Sequence, residues 1–117
     1  MTETQLYTAL AEITLRMEAA PKRADLLLKR AKIYLALKDE AKALDDLDSA
    51  ILLDSGLAEA YFLRGKLYFG LNNKEAAYND LRRAAEIDPL VATSNLSGEF
   101  STDEVSVETR RILRKHI

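Results

Sequence analysis

The feature that most constrains this chain is an internal repeat with a period of 34 residues. Residues 24–54 align on residues 58–88 without a gap, and the agreement extends over both halves of the segment. The identical pairs are Ala24/Ala58, Arg30/Arg64, Lys32/Lys66, Tyr34/Tyr68, Leu37/Leu71, Ala43/Ala77, Asp46/Asp80, Leu47/Leu81, Ala50/Ala84 and Asp54/Asp88. A period of this length indicates stacked structural units, because one such unit cannot bury its apolar face alone.

Each repeat divides into two predicted helices. Apolar residues recur at three- and four-residue steps over residues 27–35 and again over 43–51. The dipeptide Lys38-Asp39 interrupts this pattern, and Asn72-Asn73 interrupts it at the same point of the second repeat. So short a break forces the two helices into an antiparallel hairpin.

In its period and in its motif positions the sequence resembles the tetratricopeptide repeat family. The family pattern has a large residue, a small residue and a Tyr in the first helix, followed by Ala, a bulky residue and Ala in the second. In the first repeat these positions fall on Leu27, Ala31, Tyr34, Ala43, Leu47 and Ala50. In the second repeat they fall on Tyr61, Gly65, Tyr68, Ala77, Leu81 and Ala84. The chain departs from the family where Arg30 and Arg64 replace a Leu, and where Ser55 replaces the closing Pro that is present as Pro89. The resemblance implies an all-α fold, a short right-handed solenoid of antiparallel helix hairpins.

The segments that flank the repeats are predicted to close the stack. Extended backwards, the register makes the first helix similar to the second half of a preceding repeat, although Arg16 stands where a small residue is expected. A further helix is expected near the end of the sequence, where Ser101 and Glu104 can form a capping box. We therefore expect a single domain over residues 1–117 with about six helices. Its parts are an N-terminal cap helix (1–20), repeats at 24–57 and 58–91, and a C-terminal cap helix (101–117).

In the family that the sequence resembles, the first helix of each repeat lines a concave face that binds peptides or partner helices. By that resemblance, the partner-binding groove is lined by Leu28, Lys29, Lys32 and Leu35 of the first repeat and by Phe62, Leu63, Lys66 and Phe69 of the second. The expected partner is another protein or peptide, apolar with acidic residues among its anchors, because this lining is both apolar and basic. Some family members clamp a C-terminal carboxylate with Lys and Asn, but here Leu28, Lys32 and Leu63 occupy the corresponding positions. We do not expect that clamp.

The composition argues against several other classes of partner. The 17 basic and 19 acidic side chains give a net charge of −2, so we expect neither a nucleic-acid partner nor a membrane partner. No stretch approaches the ~18 apolar residues of a membrane span, and the N-terminus does not read as a signal peptide. A cytoplasmic location is the expectation that remains.

Catalytic groups are few in this sequence. The single histidine, His116, lies one residue from the end, there is no cysteine, and the four glycines are too scattered to form a phosphate-binding loop. Asp45, Asp46 and Asp48 could suggest a divalent cation site, but no turn wraps them around a metal, so we interpret them as a solvated acidic helix face. We expect no enzyme, no cofactor and no metal. A metal-binding or enzymatic role is the remote alternative.

Two hypotheses about function remain open from the sequence. The first is a protein-protein interaction adaptor or scaffold that binds a peptide or partner helix in the groove. The second is a self-associating structural module, a homodimer, whose groove is filled by its own C-terminal helix or by a second copy of the chain. Exposed apolar patches of this kind mark binding sites in general, and the pattern alone does not identify the occupant.

Overall fold

The structure is a computed structural model, and it describes residues 1–91. Within this range the chain forms five α-helices and no strand. They are α1 (Glu3–Ala19), α2 (Ala24–Ala36), α3 (Glu40–Leu53), α4 (Ala58–Gly70) and α5 (Lys74–Ile87). The all-α prediction is confirmed for the described residues, whereas the sixth helix expected at 101–117 lies outside them.

The chain divides into two compact units, Met1–Ser55 and Gly56–Ile117. In the first unit α2 packs against α3 as a hairpin, and α1 packs against α2. In the second unit α4 packs against α5 as a hairpin. Each hairpin is one of the two repeats predicted from the sequence, while the assignment of residues 1–117 to a single domain stays a prediction.

The two hairpins turn in the same way. Lys38 and Asn72 have φ angles of 65° and 62°, which is the left-handed region. In the first hairpin the amide of Asp39 donates to the Tyr34 carbonyl at 2.9 Å and the amide of Lys38 donates to the Leu35 carbonyl at 3.1 Å, which together form a Schellman motif. The Asp39 side chain then caps α3 by accepting from the Lys42 amide at 3.3 Å. This double use of two residues explains why the break between the helices can be so short.

Small residues allow the helices of a hairpin to approach closely, as the motif positions predict. A Cβ atom added to Gly65 of α4 would lie 3.1 Å from the Ala77 carbonyl oxygen of α5 and 3.2 Å from the Asp80 Cβ. Ala31 of α2 occupies the same repeat position and is completely buried. The second unit closes over a core in which Phe62 packs with Leu81 and other apolar side chains of the cluster, namely Ala58, Ala84 and Val91.

The N-terminal helix α1 begins with its own cap. The Thr2 hydroxyl accepts from the Gln5 amide at 3.2 Å, and the Gln5 side chain accepts from the Thr2 amide at 2.8 Å, which is a complete capping box. Leu6 and Ile13 are the buried residues of this helix. The segment therefore folds as the helix expected near the N-terminus, and its role as a cap of the stack stays a prediction.

Candidate binding surface

The eight residues predicted to line a partner-binding groove fall into three classes of exposure. Lys29 and Lys32 of α2 are exposed, and Leu35, Lys66 and Phe69 are half-buried. Leu28, Phe62 and Leu63 are buried, with exposed fractions of 8%, 1% and 2%. The described structure thus presents Lys29 and Lys32 more openly than Lys66 and the apolar members of the predicted set.

The burial of Phe62 has a structural cause. Its ring lies in the core cluster of the second unit, against Leu81 of α5, and Phe69 packs on the edge of the same cluster. Phe69 also meets Tyr78, with ring centroids 6.4 Å apart and an interplanar angle of 53°. Of the two phenylalanines expected to provide an apolar contact area, only Phe69 retains partial exposure.

Positive charge dominates the exposed face of α2. Lys29 and Lys32 lie outward on this helix, and the one acidic residue of its first turn, Asp25, is engaged by Arg23. The Arg23 guanidinium donates to both Asp25 carboxylate oxygens, at 3.0 and 2.5 Å. This hydrogen bonding lowers the pKa of the Asp25 carboxyl below its ordinary value. Asp25 is thus already paired within the helix start, and Lys29 and Lys32 are the exposed charged residues of the rest of this helix.

The structure also contains a polar feature that the sequence analysis missed. In the first unit Arg30 Nε and Nη2 donate to the two Asp46 carboxylate oxygens at 2.8 and 2.7 Å, bridging α2 and α3. In the second unit Arg64 makes the same bidentate pair with Asp80, with both contacts at 2.8 Å. The carboxylates are buried, and the arginines are only 23% and 21% exposed.

The interpretation of Asp46 as part of a solvated acidic face was therefore wrong. Its carboxylate faces α2 and pairs with Arg30, while its neighbour Asp45 is exposed. A signal was present in the sequence, because Arg and Asp recur 16 residues apart in both repeats, and because the Arg departs from the Leu of the family motif. The Asp46 carboxylate, by accepting hydrogen bonds, raises the pKa of the Arg30 guanidinium.

Tyrosines at the repeat positions surround these ion pairs. The Arg30 guanidinium lies 5.7 Å from the centroid of the Tyr34 ring. The Arg64 guanidinium contacts two rings, at 5.7 Å from the Tyr61 centroid and 5.9 Å from the Tyr68 centroid. Cation-π contacts at these distances stabilise a guanidinium that has lost water. The tyrosines therefore have a packing role beside the ion pairs.

Two properties of residues 1–91 bear on other classes of function. No group of three or more His, Cys, Asp or Glu side chains in this range could hold a metal ion. None of the helices in the same part of the chain is long and apolar enough to cross a membrane. What the geometry offers instead is a pair of ion-paired helix hairpins with a basic outer face on α2.

Paired helices of this length, repeated at a fixed period with small residues at the crossing points, define the class of helical repeat proteins. The sequence pattern of the tetratricopeptide repeat matches residues 24–56 and 58–89, which is more than half of the chain. The chain belongs to the tetratricopeptide repeat family, and the family resemblance inferred from the sequence is confirmed.

Two curated relatives come from Drosophila melanogaster. Hsc70-interacting protein 1 and Hsc70-interacting protein 2 are each 32% identical to this chain over 104 residues. The match covers 89% of this chain and 28% of either relative. The chain therefore corresponds to one part of these longer proteins.

Solved structures confirm the fold. The first tetratricopeptide domain of Spaghetti (RPAP3), bound to the HSP90 peptide SRMEEVD, is 28% identical with a TM-score of 0.72, and the match covers 97% of this chain and 82% of that one. The tetratricopeptide domain of Arabidopsis OM64 is 25% identical with a TM-score of 0.73, covering 97% and 84%. The predicted class, a solenoid of helix hairpins, is thus confirmed.

Proposed function

We propose that this chain is a protein-interaction adaptor that binds a peptide segment carrying acidic residues beside apolar anchors. The observation that carries the proposal is the exposed basic face of α2, where Lys29 and Lys32 point outward while Asp25 is already paired with Arg23. Opposite charges across an interface speed association and select the partner. A peptide whose carboxylates match the spacing of Lys29 and Lys32 would provide these opposite charges.

The relatives support this choice of partner class. The Spaghetti domain is bound to SRMEEVD, a peptide in which Met and Val stand among three acidic residues. The two Drosophila relatives are named for interaction with Hsc70. Both facts concern those proteins, and they favour a peptide or protein partner for the present chain over a small molecule.

The mode of binding proposed here differs from a carboxylate clamp. Two of the positions that would provide polar clamp groups are Leu28 and Leu63, and both side chains are buried. We therefore expect recognition of side-chain carboxylates by Lys29 and Lys32, with apolar contact from the partly exposed Leu35 of the same helix. Binding should then depend little on a free C-terminal carboxylate.

The test uses fluorescein-labelled SRMEEVD as the probe and measures its anisotropy with the full chain. Reversing Lys29 and Lys32 together to Glu should weaken binding about tenfold, because each rim charge contributes about 0.5–1 kcal/mol and reversal adds repulsion. The matched control reverses Lys22 and Lys74, which are also exposed and have the same charge. Equal losses in both double variants would show nonspecific charge attraction and contradict the assignment of the surface.

A second comparison isolates the mode of binding. The C-terminal amide of the same peptide should bind within about twofold of the free acid, whereas a clamp would lose much more. Light scattering on the same samples measures the molecular mass, which separates a peptide-binding monomer from the homodimer proposed as the alternative. The non-enzymatic character and cytoplasmic location inferred from the sequence stay predictions.

A further inference from the structure

Helix α1 carries an acidic residue at the repeat position that forms an ion pair in both complete hairpins. Shifting the sequence by one period places Glu12 on Asp46 and Ile13 on Leu47, and a second shift reaches Asp80 and Leu81. The acidic and apolar character of these positions is thus kept three times along the chain. In this register α1 is the second helix of a hairpin.

In α3 and α5 the acidic residue serves to hold a first helix. Asp46 and Asp80 each receive two hydrogen bonds from an arginine 16 residues earlier in the sequence, on α2 and α4. Beside the carboxylates, Ala43 and Ala77 are completely buried, because the first helix lies directly on them. The residue that follows each arginine is small, Ala31 or Gly65.

The same face of α1 has no such cover within the described residues. Glu12 and Arg16 are exposed, and Ala9, which stands at the position of Ala43, is only half-buried. No ion pair or hydrogen bond from anywhere in residues 1–91 reaches the Glu12 carboxylate. The adjacent face of α1, with Leu6 and Ile13, is the buried one, and α1 packs against α2. We call Ala9, Glu12 and Arg16 the open face of α1.

We propose that the open face of α1 binds an amphipathic helix of a partner protein that carries an arginine directly followed by Ala or Gly. The two hairpins of this chain are the template for the contact. The partner's arginine makes a bidentate ion pair with Glu12, and its small residue lies over Ala9. The partner helix thereby completes a hairpin of which α1 is one half.

Charge complementarity selects this occupant over an apolar helix. Without an arginine opposite it, the Glu12 carboxylate would lose water on docking and gain nothing in return, which is unfavourable. Bidentate pairing with a guanidinium satisfies both carboxylate oxygens, and a lysine does not reproduce that geometry. The preference for arginine over lysine is therefore a specific property of the proposed site.

Arg16 determines the strength of the contact. Both complete hairpins have a completely buried Ala at this position, Ala50 and Ala84. The longer, charged Arg16 side chain opposes an equally close approach, so docking is weaker than the packing of α2 on α3. Replacing Arg16 with Ala restores the residue found in both hairpins and is expected to tighten binding severalfold.

The experiment titrates the full chain with a synthetic peptide of residues 22–38, which contains the Arg30-Ala31 pair, and follows amide shifts by NMR. We expect shifts centred on Ala9, Glu12 and Arg16. Glu12→Arg should weaken binding about tenfold or more, since hydrogen bonds to charged groups are strong. A peptide carrying Arg30→Glu should restore binding to the Glu12→Arg protein, and a peptide carrying Arg30→Lys should bind the unmodified chain less tightly.

Matched variants keep this test decisive. Glu18→Arg makes the same charge change on the same helix, at an exposed position away from the open face, and should leave the peptide affinity unchanged. Lys29→Glu with Lys32→Glu in the protein should not weaken binding of this basic peptide, which separates this site from the surface on α2. Absence of shifts at millimolar peptide, equal effects of Glu12→Arg and Glu18→Arg, or failure of the charge exchange would each overturn the proposal. Circular dichroism confirms that every variant is folded.

Discussion

The ion pair between Arg30 and Asp46 should be the most sensitive polar contact of the first unit. Asp46→Ala removes the carboxylate and leaves the Arg30 guanidinium between two packed helices without its counter-charge. Arg30→Leu removes the other partner and introduces the residue that the family motif has at this position. The two single variants and the double variant together form a thermodynamic cycle.

The expected magnitude follows from the burial of the two groups. Breaking a fully buried pair costs about 3–5 kcal/mol, because one charge is left without compensation. Here the Asp46 side chain is 6% exposed but that of Arg30 is 23% exposed, so the guanidinium can regain some water. We therefore expect Asp46→Ala to lower the free energy of unfolding by about 2–3 kcal/mol, which corresponds to a melting temperature lower by roughly 8–15 °C.

The double variant should behave differently from the sum of its parts. With Arg30 already replaced by Leu, removing the Asp46 carboxylate no longer strands a charge, and replacement of a buried pair by apolar residues is often neutral. We expect a coupling energy of about 2 kcal/mol from urea unfolding monitored by far-UV circular dichroism. Asp45→Ala, at the exposed neighbour, is the control and should change stability by less than about 0.5 kcal/mol.

One result would refute this reasoning directly. If Asp46→Ala has the same effect with and without Arg30, the two side chains do not act as a pair in solution. The second unit provides an independent repetition, because Arg64 and Asp80 have the same geometry and similar burial. The cycle there should give a coupling energy of the same size.

Two further predictions concern α4 and the start of α2. Gly70→Ala should raise the free energy of unfolding by about 0.5 kcal/mol, since nothing lies within 4 Å of the added Cβ. Gly65→Ala should raise it less or lower it, because the added Cβ would meet the Ala77 carbonyl oxygen at 3.1 Å. Equal effects in urea unfolding would contradict the close approach of the helices. At the start of α2, the Asp25 carboxyl should titrate below its ordinary pKa of 3.8 by NMR, and Arg23→Ala should raise that pKa toward the ordinary value. A carboxyl whose pKa is lowered in the folded state stabilises that state at pH values above its ordinary pKa. This small contribution of Asp25 should disappear as the pH falls through its folded-state pKa. An ordinary pKa for Asp25 in the unmodified chain would contradict its pairing with Arg23.

The repeat and its helices could be predicted because they depend on local properties of the sequence. Periodic apolar residues determine which side of a helix faces inward, and the small residues Ala31 and Gly65 mark where two helices cross. The turn at Lys38-Asp39 was equally accessible, since a break in the pattern requires a cap on both sides. The helices and the turn can therefore be predicted without knowing the distance between neighbouring helices.

The candidate site was harder to predict, because it depends on contacts between different helices. Leu28 and Phe62 occupy the same repeat position and are both buried, and the spacing of residues alone does not distinguish that burial from exposure on a groove. Asp46 was misread because its partner lies 16 residues away on another helix, beyond the reach of any pattern along one helix. Glu12 is recognised as unusual only once the two complete ion pairs are seen.

Each ion pair joins two residues of a single repeat, Arg30 with Asp46 and Arg64 with Asp80. The shortest segment that carries a complete pair is therefore one helix hairpin. Duplication of that segment in a gene would copy both charges together and would never leave a buried arginine or aspartate alone in the new unit. An ion pair within one repeat therefore allows a repeat array to gain or lose whole repeats while every buried charge keeps its partner. An ion pair shared between neighbouring repeats would not have this property.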